Sequence, residues 1–72
     1  MDEHAWFAVT LREWLTHQRH EHTLDDVALH AAIDARDPAA VRTELQDAPF
    51  SPEQRRYLDD LLDRWTRFLA EE

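Results

Sequence analysis

Cysteine, glycine and lysine are absent from the 72 residues, and a single serine is present. Without cysteine there is no disulfide framework and no thiolate, so stability must come from aliphatic and aromatic packing, with oligomerisation or metal binding as supplements. Without glycine, phosphate-cradling loops and dinucleotide sites are excluded, because both need positive φ or a close backbone approach to the ligand. The turns are then expected to come from proline, aspartate and serine. With lysine missing, all eight basic residues are arginine, which points to a GC-rich coding sequence and a small bacterial protein. Long apolar runs are missing as well: the longest, residues 5–9, falls far short of the ~20 needed to cross a bilayer. The opening MDEHAWF is acidic where a secretory leader would be basic. A cytoplasmic protein with no membrane partner is the expectation.

What is present in excess is negative charge. Sixteen acids against eight bases give a net charge of −8, which repels nucleic acid and anionic lipid and complements a basic protein surface. Direct nucleic-acid binding is therefore not expected. A chain of this length is one domain, residues 1–72, and buries only about 60% of the surface its unfolded form exposes.

The periodicity throughout is helical. Phe7, Leu11, Trp14 and Leu15 form one apolar stripe of a first helix over about residues 3–22. Thr23 then reads as the cap of a second helix over 24–36, with Asp25 and Asp26 in its first turn. That helix is apolar on two sides, Leu24, Val27, Ala28, Ala31 and Ala35 on one and Leu29 and Ile33 on the other, so a central position packed on both faces is expected. Asp37-Pro38 opens a short third helix over 38–48 with Val41, Leu45 and Ala48 inward, and Ala48-Pro49 ends it. Ser51-Pro52-Glu53-Gln54 is a capping box that starts a fourth helix over 52–70. Its stripe is Leu58, Leu61, Leu62, Trp65, Phe68 and Leu69 with Tyr57 on the edge. Its outer face offers the i,i+4 pairs Arg55/Asp59, Arg56/Asp60, Asp60/Arg64 and Asp63/Arg67. The fold class is all-α, a small antiparallel or orthogonal bundle of four helices with the third short.

Leu29-His30-Ala31-Ala32, followed by Asp37, Val41 and Leu45, resembles the L-H-x-A, D, V and L positions of the helical hairpin in an ankyrin repeat. The resemblance covers less than a third of the chain and has no second copy. It implies a helix–turn–helix hairpin packed in a similar way rather than a solenoid.

The stretch HQRHEHTLDD concentrates three histidines and three acids. At 100° per residue Glu13, His17 and His20 share one side of the first helix, so they are candidate metal ligands, with zinc the candidate ion. That side points away from the core, and a site completed by a second copy is easier to build than a closed one. Five histidines also offer pH sensing, since protonating all of them would move the charge from −8 to −3. The plainer explanation is a helix stop followed by a helix start, which accounts for His20 and His22 but not for His17. Catalysis is not expected: there is no thiol, the one serine is a cap, and adjacent acid pairs such as Asp59/Asp60 diverge. Trp6 and Val9 lie opposite the core stripe, beside Glu13 and His20, where Trp6 either stays exposed or curls over the domain edge or under the fourth helix. Aromatic and aliphatic groups rimmed by charge have the composition of a binding hot spot. The expected function is a small acidic interaction module, of inhibitor, immunity-like or adaptor type, holding a basic protein partner through its negative surface and Trp6, Val9, Glu13, His17 and His20. A metal-binding or pH-responsive homo-oligomer, a homodimer for instance, is the alternative.

Overall fold

A computed structural model describes residues 3–71, the side chain of Glu21 excepted, and these residues are helical with no strand among them. Helix α1 spans Glu3–His17, α2 Val27–Asp34, α3 Pro38–Leu45 and α4 Pro52–Ala70, with a short 3-10 segment at Glu21–Asp25. α1 and α4 lie antiparallel. Phe7 stacks on Trp65 at 5.8 Å, Trp14 on Tyr57 at 5.1 Å, and Gln18 meets Gln54 further along.

The core joins Phe7, Leu11 and Leu15 of α1, Leu29, Ala32 and Ile33 of α2, Val41 and Leu45 of α3, and Leu58, Leu61, Leu62 and Trp65 of α4. Each helix contributes residues its period places inward, but Ala48, expected inward on a helix over 38–48, is half-buried outside it: three-residue closures from Gln46 to Thr43 and from Ala48 to Leu45 stop α3 at Leu45. Trp65 is the largest fully buried side chain, and its indole nitrogen has no hydrogen-bond partner. Such an orphaned donor costs about 1–3 kcal/mol, which the packing of the ring on Phe7 must offset. α2 and α3 form the expected helical hairpin, with Leu29, Val41 and Leu45 buried.

The starts of α2, α3 and α4 follow side-chain caps. Asp37 accepts from the Ala40 amide with Pro38 at the first helical position, and Ser51 and Gln54 close a complete capping box on α4. These two starts match the sequence reading. The start of α2 does not: Asp26, not Thr23, is its cap, and accepts from the Ala28 amide at 2.9 Å. Thr23 belongs to the 3-10 segment and donates its hydroxyl to the His20 carbonyl at 2.7 Å.

The helix stops overturn the expectation that turns would use only proline, aspartate and serine. α1 and α2 both end with an arginine in the left-handed region, Arg19 at φ 60° and Arg36 at φ 57°. At each end the residue after the arginine donates five residues back, His20 to Leu15 and Asp37 to Ala32, while the arginine donates three back, to Thr16 and Ile33. This closure normally places glycine at the left-handed position. A chain without glycine bears the steric cost on arginine, about 1–2 kcal/mol each. The first closure stops α1 at His17, five residues before the stop expected at His22.

α2 is also corrected. Leu29, Ala32 and Ile33 are buried, but Val27 is 81% exposed and Ala28, Ala31 and Ala35 also face solvent. The helix is packed on one side and is peripheral. Apolar residues all round a helix signal two-sided packing when they are large; alanines leave too little area to demand it.

On α4, only Asp60–Arg64 forms among the four expected i,i+4 pairs, at 3.2 Å. Arg42 of α3 takes Asp59 at 2.8 Å and Asp63 at 3.0 Å. Arg55 turns back to donate to the carbonyls of Leu45, Gln46 and Ala48 at the end of α3. Arginine therefore ties α3 to α4 instead of lacing α4 to itself.

Candidate functional site

The inward stripe of α1 dictates what its opposite face shows. Trp6 is 47% exposed and Val9 40%, three residues apart and therefore neighbours on the helix surface. The Trp6 ring meets Phe7 edge-on at 5.0 Å, so one edge of the indole leans on the core ring while nearly half of the side chain faces water. Glu13 and His17 follow on the same face, both exposed, and border a shallow recess of about 350 Å³ with Arg12 and Thr16. Four of the five residues expected to bind a partner therefore share one exposed face.

His20 does not join them. The closure at Arg19 reverses the chain and turns His20 inward, where it is 8% exposed. Its ring meets Phe50 edge-on at 4.6 Å and lies 5.8 Å from that of His22. The Gln54 side-chain oxygen already accepts from the Ser51 amide, so the His20 Nε2–H donates to it at 3.4 Å and Nδ1 is left buried without a partner. The helical stripe Glu13/His17/His20 would have required α1 to continue through residue 20. Among the described residues, no three histidine, aspartate or glutamate side chains are arranged to hold a metal ion.

A polar tie that sequence spacing did not indicate fixes α1 to α2. His30 donates Nε2–H to the Leu24 carbonyl, and its Nδ1 accepts from Arg12 Nη2 at 3.4 Å. The same Arg12 nitrogen donates to Asp34 at 3.2 Å. Only the neutral ring with hydrogen on Nε2 satisfies both contacts. Arg12 and Asp34 are 22 residues apart, so no local period could have joined them.

Most of the described acids fall into two sets. Asp26 and Asp37 cap helices, and Asp34, Asp59, Asp60 and Asp63 are held by arginines. Glu13, Asp25, Asp47 and Glu53 enter no ion pair among the described residues and project their charge outward. Glu44 is raised above its ordinary value of 4.5 by a hydrogen bond with Asp26, then by desolvation and by the charge of the same Asp26. Two carboxyls thus compete where α3 passes the start of α2.

Among the described residues, no helix is long and apolar enough to cross a membrane. Compared with family models, with curated proteins and with solved structures, the chain matches none of them.

Proposed function

We propose that this protein is a small acidic interaction module that holds a more basic protein partner through the outer face of α1, without catalysis. The observation that carries the reading is Trp6, 47% exposed beside Val9 and followed on the same face by Glu13 and His17. An indole left in water next to an aliphatic side chain and a charged rim is a composition enriched where binding energy concentrates. The net charge of −8 favours a basic partner over a second copy of the chain, since two equally charged copies repel. The test is affinity capture from a lysate of the source organism with wild type and Trp6→Ala side by side. Loss of the same basic protein from the variant's eluate supports the reading, and identical captured sets refute it.

A further inference from the structure

A row of rings crosses the seam between α1 and α4. Tyr57 stacks on Trp14 at 5.1 Å and 21°, Trp14 leans on Phe50 at 5.5 Å, and Phe50 receives the edge of His20. The Phe50 end of this row already carries a cation. The Arg55 guanidinium carbon lies 5.3 Å from the Phe50 centroid while its nitrogens donate to three carbonyls. The other end is Tyr57, 44% exposed. One turn earlier on α4 stands Glu53, which with Tyr57, Trp14, Gln18 and Gln54 lines an open recess of about 230 Å³.

The aromatic rings and the carboxylate that line that recess favour a cation. Aromatic faces attract positive charge through their quadrupole. Glu53 has no ion pair among the described residues, so its carboxylate is available as an acceptor. Gln54 donates its side-chain nitrogen to the Gln18 oxygen at 3.0 Å, which ties together the two amides that line the recess. A planar guanidinium suits the recess better than an ammonium: it can lie on an aromatic face and present a fork to one carboxylate, as a compact point charge cannot.

We propose that this recess seats an arginine side chain, its guanidinium stacked on the exposed aromatic end at Tyr57 and hydrogen-bonded to Glu53. The proposal rests on the reading that the partner is basic, and it names the group by which the partner is gripped away from Trp6. Trp14 follows Trp6 by eight residues, about 12 Å along α1, so one partner of ordinary size covers both positions.

The test needs no partner. Nα-acetyl-L-arginine amide is titrated into the full chain at constant ionic strength and followed by ¹H–¹⁵N correlation spectra, with Nα-acetyl-L-lysine amide as the comparison. Saturable shifts of the Trp14 indole N–H and of the Gln18 and Gln54 side-chain amides are expected, with the Trp6 indole unmoved. Glu53→Gln should weaken the arginine derivative about three- to fivefold, the worth of one exposed ion pair. Tyr57→Leu, which keeps an apolar side chain against Trp14, should weaken it as well. Linear shifts that never saturate, equal affinity in Glu53→Gln, or equal affinity for the lysine derivative each overturn the assignment. Failure of this titration leaves capture through Trp6 standing, and failure of the Trp6→Ala capture leaves the titration standing, so the two ideas fall separately.

Discussion

Two helix faces leave apolar side chains in water, and they differ in what they offer. On α1 the face carries Trp6 and Val9 with Glu13 and His17 beyond them; on α2 it carries Val27, Ala28, Ala31 and Ala35. Fractional exposure alone ranks them the wrong way, since Val27 is far more exposed than Trp6. Payload decides instead. A tryptophan can bury roughly 150–250 Å² against a partner, whereas alanines add little area and no polar handle. The α1 face is thus suited to recognition and the α2 face to being a plain outer surface of the hairpin.

The contrast is broken most directly at its strongest point. Trp6→Ala should reduce partner affinity at least tenfold, on the order of 2 kcal/mol for a hot-spot aromatic, while unfolding free energy falls by about 0.5–1.5 kcal/mol as the edge contact with Phe7 is lost. Titration calorimetry against the captured partner, paired with thermal melts, measures both. Val27→Ser should change neither, and a Val27→Ser variant that lost binding would move the interface to α2.

The next effect separates adjacent alanines. Ala32 is buried and Ala31 exposed, so Ala32→Leu overpacks the core and should cost about 1–3 kcal/mol, several degrees of melting midpoint or more. Ala31→Leu should stay within about 0.5 kcal/mol. Equal losses would show that the outer face of α2 is packed after all.

A smaller effect tests how this glycine-free chain ends the two helices that carry these faces. Arg36→Gly relieves the left-handed strain of about 1–2 kcal/mol but frees the unfolded chain by about 0.5–1 kcal/mol. A net gain of roughly 0.5–1 kcal/mol and a higher melting midpoint follow; a lower midpoint contradicts the account of the turn. Arg36→Ala, which keeps a Cβ, should bring no such gain.

The smallest effect concerns charge at the edge of the α2 face. Because Asp26 raises Glu44, the folded state holds that proton more readily than the unfolded chain does. The penalty is therefore absent in acid, below the ordinary glutamate range, and grows as pH rises through and above it. Glu44→Gln should raise the melting midpoint at neutral pH, and the advantage should vanish below about pH 4. A gain of the same size in acid would assign the effect to something other than charge.

How legible these faces were in the sequence follows from which signals are local. α4 could be read closely because its capping box, its leucine stripe and Trp65 all lie within its own residues, and Asp37-Pro38 marked α3 in the same way. The position of Trp6 and Val9 opposite the stripe of Phe7, Leu11 and Leu15 could be read, but not whether Trp6 curls over the domain edge or lies under α4, because that depends on how the helices pack. The end of α1 was not legible, because nothing in Gln18-Arg19-His20 signals a left-handed arginine where glycine is the usual residue. That one turn moved His20 from the outer face to the inside and handed the cap of α2 from Thr23 to Asp26. Long-range choices were hidden too: Arg42 takes Asp59 and Asp63, and Arg12 takes His30 and Asp34, across separations that no helical period encodes. The alanine face misled for a different reason, since periodicity records that a residue is apolar but not how much area it contributes.

The central claim, that negative charge steers a basic partner onto the Trp6 face, is tested most directly by the association rate constant measured by stopped flow as ionic strength is raised. Steered association should slow steeply, by tenfold or more between low and high salt, in wild type and in Trp6→Ala alike, with Trp6→Ala acting mainly on dissociation. A rate constant flat across that range would contradict the claim.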